Sequence, residues 1–396
     1  MHLDWVPYLK LRGSWGRLGN ERISSLYPYQ ASVGFGTALL TSGNEVISVP
    51  TAAQTTYAVH DITWETTETF DIGIDAHFFE DRLSLTADWY KKETKDMLLP
   101  LEIPKYIGYG NPSVNAGKMH TTGYDIELAW RDVIGDFSYS ASINFSDFVS
   151  KMGNLSGTEF LGDQIKREGS EFNEWYGYLS DGLFLTQEDL DNSPKLNANT
   201  KLGDIKYKDI SGPDGVPDGK ISSEYDRVLL GGSLPRYMFG GNLNAAYKSF
   251  DLGLTFQGIG RRWTRFDRAM VEPLKDNWKT FSTQLDGNYW SEKNTDEQNA
   301  HIKYPRLTVT NKNSNLTMSD YWLFKGRYVR LKNLTVGYTV PSVYLEKIGI
   351  NHLRVYVAAN DLFCWNNFPK GWDPESSTSM TYPITTSVLF GLSVSF

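Results

Sequence analysis

Residues 384–396 read Ile384-Thr385-Thr386-Ser387-Val388-Leu389-Phe390-Gly391-Leu392-Ser393-Val394-Ser395-Phe396. Positions 384, 388, 390, 392, 394 and 396 are all apolar, and the residues between them are mostly Thr, Ser and Gly. Successive side chains of a β-strand point to opposite faces. The stretch therefore predicts a strand with one greasy face and one small, polar face, ending on an aromatic at the apolar phase.

Working back from this stretch, the same alternation recurs. Phe70, Ile72, Ile74, Ala76 and Phe78 form one stripe, and Leu83, Leu85, Ala87 and Trp89 form the next. Tyr124, Ile126, Leu128 and Trp130 follow, then Phe137, Tyr139, Ala141, Ile143 and Phe145. Tyr237, Phe239, Leu243 and Tyr247 make a further stripe, and Phe250, Leu252, Leu254 and Phe256 another. About ten strands are legible, many longer than the usual five or six residues. The connections alternate in length. Glu80-Asp81, Asp132 to Gly135 and Lys248-Ser249 read as tight turns, and 341–351 as intermediate. Residues 97–117, 151–234, 263–325 and 364–383 read as long loops. Short turns on one side and long loops on the other are the pattern of an up-and-down membrane barrel. A soluble β-sandwich also alternates apolar and polar residues, and is the competing fold. Within the loops, Thr186 to Leu190 predicts a capped helical turn, and 264–278 a partly helical segment broken near Pro273.

Composition narrows the function. The chain has 396 residues, with 39 Lys plus Arg against 47 Asp plus Glu, a formal charge of −8. That balance excludes a general nucleic-acid binder, which needs a basic surface. Aromatics at 14% exclude a disordered chain. No apolar run reaches the roughly 18 residues of a membrane-spanning helix. The single cysteine, Cys364, excludes an internal disulfide and a Cys-rich metal site, and reads as inert. Met1 to Trp5 has neither the basic nor the apolar region of a signal peptide. Enzyme motifs such as G-x-S-x-G, H-E-x-x-H and G-x-G-x-x-G are missing, so no catalytic residue is assigned. Gly215 to Lys220 has the wrong spacing for a phosphate loop, with Ile221 in the place of its Ser or Thr.

Two features carry candidate chemistry. In Asp209 to Asp226, Asp214 and Asp218 stand four apart and precede Gly219, as in part of an EF-type calcium loop. Val216 and Tyr225 depart from that template, and Asp226 arrives one residue late. Calcium takes about six to eight oxygens, so Asp209, Ser222 and backbone carbonyls would have to join Asp214, Asp218 and Asp226. The metal-free alternative is a turn cluster of Asp, Gly and Pro. The second feature is the aromatic content of the loops. Trp175, Tyr176, Tyr178, Trp278, Trp290 and Trp372 are the candidate contacts for a ligand or a partner, because flat aromatic faces suit half-wet interfaces. Their alternative role is to anchor the loops or to form the membrane girdle, the role expected of Trp263 and Trp365. Arg261, Arg262, Arg265 and Arg268 form a small basic run that reads as a solvated rim or a contact for lipopolysaccharide phosphates.

Several stretches together resemble the SusC/RagA family of TonB-dependent outer-membrane transporters. They are Tyr328 to Pro341 (YVRLKNLTVGYTVP), Leu353 to Val357 leading to Asn360-Asp361-Leu362-Phe363, Asp373-Pro374-Glu375, Tyr382-Pro383, and the terminal strand with Gly391 and Phe396. Gly203 to Asp209, Leu234 to Tyr237, Leu11 to Gly16 and Trp64-Glu65 fit as well. The resemblance implies an all-β, antiparallel up-and-down transmembrane barrel of about 22 strands with a plugged lumen. Residues 1–396 correspond to its C-terminal part, without plug domain or signal peptide, and Phe396 to its assembly signal. The implied function is uptake of oligosaccharides or peptides across the outer membrane. The implied partners are outer-membrane lipid, a SusD-like surface lipoprotein, and TonB acting through the plug. Beyond the candidate calcium, no cofactor is implied. A soluble carbohydrate-binding β protein and a non-functional fragment are the alternatives.

Overall fold

The computed structural model describes the chain except for residues 1–4, 22–26, 44, 55–56, 101–105, 107, 156, 158, 266–282, 309–313, 347–348 and 377–381. Its frame is one ten-stranded antiparallel sheet in which each strand neighbours the next. In chain order the strands are β1 (Tyr8–Asn20), β2 (Glu65–Phe78), β3 (Leu83–Lys95), β4 (Met119–Ile134) and β5 (Phe137–Met152). They continue as β6 (Arg236–Tyr247), β7 (Phe250–Arg261), β8 (Tyr328–Thr339), β9 (His352–Asn366) and β10 (Ser387–Ser395). The up-and-down order expected from the loop lengths is the order observed.

The register explains why the stripes were readable. Ile74 pairs with Ala87, which pairs with Ile126, which pairs with Phe145. Phe145 pairs with Phe239. Farther on, Leu243 pairs with Leu254, Leu254 with Leu334, and Leu334 with Ala359. Pairing residue on residue keeps every apolar stripe on one face, since a slip of one residue would turn a strand inside out. Bulges at Leu331/Asn333 hold the phase where β8 carries an extra residue against β7 and β9 carries one against β8. The resulting face stays open: Leu11, Trp15, Phe390 and Leu392 are each more than half exposed. A soluble monomer rarely leaves so large an apolar patch uncovered. Among the described residues no other sheet has more than four strands. The soluble sandwich is thus set aside.

Aromatic rings collect at two levels of that face. Near the short turns, the Trp130 indole donates to the Tyr139 hydroxyl (3.1 Å), and Phe250 packs on Tyr338 at 4.8 Å. Near the long loops, Tyr124 stacks on Phe145 (5.9 Å) and Phe363 on Trp365 (5.9 Å). Phe137 and Phe145, on β5, span about 26 Å at ~3.3 Å per residue. Strand tilt brings this to about 20 Å across a bilayer, on the scale of the apolar band of an outer-membrane barrel.

The short turns differ in detail from expectation. The second is Gly135-Asp136, because β4 runs on to Ile134. The first has three successive left-handed residues, Phe79, Glu80 and Asp81. The connection at 340–351 holds a short helix, Ser342–Leu345. At the other end, the first long connection contains an unexpected hairpin, Val33–Ser42 with Glu45–Gln54. The terminal strand starts at Ser387, leaving Ile384 outside it, and Cys364 lies within β9 rather than after it.

Candidate functional site

The face opposite the apolar one is concave and polar. A hollow of about 810 Å³ is lined by Arg131, Ser140, Asn244, Asp251, Asn333 and Arg354, among others. Across it the register sets one residue of each strand in a row: Ser142, Asn242, Thr255, Asn333, Asn360 and Ser387, on β5 to β10. Their side chains bond to one another. The Thr255 hydroxyl donates to the Asn242 carbonyl (2.8 Å), and the Asn333 amide donates to the Asn360 carbonyl (2.9 Å). The Asn360 amide in turn donates to the Ser387 hydroxyl (3.2 Å). Each amide both donates and accepts, so the row is a neutral band able to exchange hydrogen bonds with a passing solute.

The charges on this face are matched. Arg12 meets Asp75 and Asp88, both at 2.9 Å. Arg354 meets Asp251 at 2.5 Å. Cation and anion come from different strands in each case, so the pairs also tie the wall together. The densest group surrounds Arg330, which is 2% exposed on β8. Its Nε lies 2.8 Å from Glu375, and its guanidinium also donates to Asp373. Lys332 reaches Asp361 at 2.8 Å, Gln257 donates to Glu375 at 2.6 Å, and Arg262 donates to the Pro374 carbonyl at 2.5 Å. The Asp373-Pro374-Glu375 segment of the last long connection is thereby fastened to the inner wall.

The long connections form a cluster with its own core: Tyr178, Ile205, Tyr207, Ile221, Leu285, Tyr304, Leu316, Trp322 and Phe368. Polar groups hold it as firmly as apolar ones. Asp204, fully buried, accepts from the Lys201 amide (2.8 Å) and Asn315 (3.0 Å), with Arg306 at 2.6 Å. Asn315 also takes the Ile205 amide (2.9 Å), and its carbonyl takes the Trp322 indole (2.7 Å). Gly203 adopts a left-handed φ of +79°, and Trp290 lies against it so closely that a Cβ would stand 2.2 Å from the ring. Burial pushes the Tyr207 hydroxyl far above its ordinary range, and its proton goes to the Ser314 carbonyl (2.8 Å). Burial also raises Glu174, whereas Lys206 holds Asp189 below the usual carboxylate range. Asp189 belongs to the expected helical turn, Gln187–Asn192, whose cap Thr186 accepts from the Asp189 amide (3.2 Å).

This packing decides where the candidate residues fall. Tyr176, Tyr178 and Trp290 are buried, each under a tenth exposed. Tyr178 tilts on Tyr207 at 5.4 Å, and Tyr176 carries Arg227 over its ring at 4.3 Å. These three anchor loops, the alternative role, and the structure does not bring them to a common surface. Trp175 and Trp372 are half-buried. Trp175 donates its indole N–H to the Trp263 carbonyl (2.8 Å). Trp278 and Arg268, with most of the segment expected to be partly helical, lie outside the described residues. Trp365 is exposed at the girdle level as expected, but Trp263 pairs with Lys325 in a small loop sheet. Arg261 is paired with Glu171 (3.0 Å) and Arg265 with Asp163, so two of the four arginines of the basic run are neutralised. Phe396 is 84% exposed at the chain end.

The candidate calcium loop folds on its own backbone. Asp226, fully buried, accepts from the amides of Ile210 (2.8 Å), Ser211 (3.3 Å) and Ser222 (2.7 Å). Asp209 accepts from the Gly219 amide (2.6 Å) and Asp218 from the Lys220 amide (3.0 Å). Among the described residues, no three His, Cys, Asp or Glu side chains are arranged to hold a metal ion. Asp214, Asp218 and Asp226 are therefore not gathered into one oxygen cage, and the turn alternative accounts for the loop.

Sequence reasoning missed the hydrogen-bonded row and the Arg330 cluster. Both had a signal: the polar phase of each strand, and the Asp373-Pro374-Glu375 motif two strands from an inward-phased arginine. Comparison with known proteins fits this geometry. The family described as TonB-dependent receptor-like β-barrel matches residues 2–362. TonB-dependent receptor P3 of Formosa agariphila is 30% identical over 382 residues, covering 93% of this chain and 36% of its own length. SusC of Bacteroides thetaiotaomicron is 22% identical, covering 98% of this chain and 37% of its own. The solved structure of the RagAB peptide transporter superposes with a TM-score of 0.73 at 24% identity, over 100% of this chain and 41% of that one. The chain thus spans about two fifths of the length of the relatives it matches.

Proposed function

From the premise that this chain belongs to the TonB-dependent receptor β-barrel family, and so lies in the outer membrane, we propose that it forms ten wall strands and the covering loops of an active nutrient importer. The observation that carries this reading is the two-faced sheet: one predominantly apolar face, and opposite it a neutral, hydrogen-bonding row between matched charges. Lipid meets the first face. Cargo passes the second.

In this reading the cargo is an oligosaccharide or a peptide. Both offer hydroxyl or amide groups that can exchange hydrogen bonds with Asn242, Asn333 and Asn360 without stripping a charge of its water. No covalent step is involved. The remaining length of the parent supplies the strands that complete the barrel and the plug, through which TonB supplies energy. A SusD-like surface lipoprotein covers the loop cluster, where Trp175 and Trp372 are the half-buried aromatic contacts. Phe396, at the apolar phase of the last strand, acts as the assembly signal.

The test is uptake. Cells lacking the gene, and cells carrying Asn333→Leu with Asn360→Leu, are given labelled oligosaccharides and labelled peptides in parallel. We expect the deletion to abolish uptake of one class, and the double substitution to slow it while the barrel still reaches the membrane. Unchanged uptake of both classes in the deletion strain overturns the reading.

A further inference from the structure

The outer wall is not uniformly greasy. Between β6 and β9, near the long loops, it carries a groove of about 360 Å³. Phe239 forms one side and Trp365 the other, with Val329 and Gly260 between them. All four stand on the apolar face, in phase with Phe145, Leu331 and Phe363. Gly260 has no side chain there, and Tyr237 packs against its backbone. Trp365 is 61% exposed, so the groove opens outward.

At the loop end of the groove stands Arg327, exposed, two residues before Val329 and so on the same face. Its Nε and Nη2 both donate to the Asn367 carbonyl, at 3.2 and 2.9 Å. That partner is neutral. The inward-phased arginines Arg12, Arg330 and Arg354 each face a carboxylate, whereas no carboxylate within ion-pair distance of Arg327 is found among the described residues.

We propose that this groove binds a phosphate-bearing lipid of the outer leaflet, with its phosphate on Arg327 and one acyl chain between Phe239 and Trp365. The level fits, since Trp365 and Phe239 belong to the loop-side aromatic belt and such belts sit at the headgroups. The charge fits as well. A guanidinium offers a fork of N–H donors matched to phosphate, and here the neutral Asn367 leaves its charge uncompensated. The aromatic walls cover an acyl chain while their edges stay near the wet interface. The inference rests on the membrane placement of the barrel and not on its cargo.

The test uses the protein extracted from outer membranes in mild detergent. Retention of diphosphorylated lipid A is measured by native mass spectrometry beside the dephosphorylated form, for wild type, Arg327→Gln and Trp365→Phe. Arg327 is exposed and among the described residues bonds only Asn367, so its replacement is expected to leave the fold intact, which heat-modifiable migration checks. We expect wild type to retain the phosphorylated form preferentially, and Arg327→Gln to lower retention about tenfold, as loss of a hydrogen bond to a charged group implies. In vesicles with brominated acyl chains, the quenched emission that Trp365→Phe removes reports the chain in the groove. Equal retention by wild type and Arg327→Gln, or of both lipid forms by wild type, overturns the proposal. So does loss of a co-purifying protein from Arg327→Gln with lipid unchanged, which would give the groove to a protein partner. Uptake is measured separately, so a failed import reading leaves this outcome untouched.

Discussion

Arg330 and Glu375 meet at 2.8 Å, one on a wall strand and the other on the last long connection. The arginine is 2% exposed, so its charge depends on these partners rather than on water. Removing one member of a buried ion pair leaves the other uncompensated and costs about 3 kcal/mol or more. In Arg330→Ala, Asp373 and Glu375 would lose their main cation, with Lys332 the remaining one. The expected result is release of residues 367–376 from the inner wall while the ten strands stay paired. Hydrogen exchange checks this: amides near Asp373 should exchange faster, and those of β8 and β9 should not change. Global unfolding would mean that the cluster holds the wall instead of the loop.

Gly203 and Trp290 set the second prediction. A side chain at Gly203 meets two obstacles, a left-handed backbone and the Trp290 ring 2.2 Å from where Cβ would stand. The backbone term is about 1–2 kcal/mol, and overpacking adds about 1–3 kcal/mol. Gly203→Ala should therefore loosen the loop core and expose it to protease. Combining it with Trp290→Ala removes the clash but not the backbone strain. The two changes should then be less than additive, as expected of contacting residues. Full additivity in a melting series would show that the ring is not the obstacle.

The wall was legible in the sequence because a membrane barrel repeats one rule. Phe70, Leu128, Phe145 and Leu254 each announce a face by alternation alone, and pairing in register carries that face across the sheet. The loops obey no such rule. Tyr178 and Trp290 looked like surface aromatics because nothing local distinguishes an anchor from a contact. Tyr178 is buried with Ile205, Tyr207, Leu285 and Trp322, and Trp290 lies against Gly203, all of which arrive from distant parts of the chain. The same holds for Asp226. Its spacing from Asp218 suggested a cation, whereas its actual partners are backbone amides that no spacing encodes.

Asp226 gives the third prediction. Three amides converge on one buried carboxylate, and each hydrogen bond to a charged group is worth about 1.5–3 kcal/mol. Asp226→Ala should unfold the 209–226 loop locally, costing about 3 kcal/mol or more by the same measure. Because the carboxylate is already occupied by protein donors, a chelator should leave protease cleavage within 209–226 unchanged. Calcium titration should leave it unchanged too. Protection that rises with calcium and falls with the chelator would restore the metal reading.

The last prediction concerns pH and the pair Asp189–Lys206, in contact at 2.7 Å. Hydrogen bonding to Lys206, with Ser193 assisting, holds Asp189 below its ordinary value of 3.8. Its contribution to loop order is complete above that value, and is lost as pH falls through the lower, folded one. Lys206 shifts the other way, raised above 10.5 by the same hydrogen bond. Its contribution is complete below 10.5 and is lost as pH rises through the raised value. The contact should thus hold steady from about pH 4 to about pH 10, by the same linkage, and weaken outside that range. Anisotropy of a fluorophore at Lys195→Cys, in a Cys364→Ser background, reads the order of this loop. Asp189→Asn should flatten the acid limb, because the titrating group is gone. An acid limb that persists in Asp189→Asn would assign the loosening to another carboxylate, and a midpoint above pH 4 would contradict the depressed value itself.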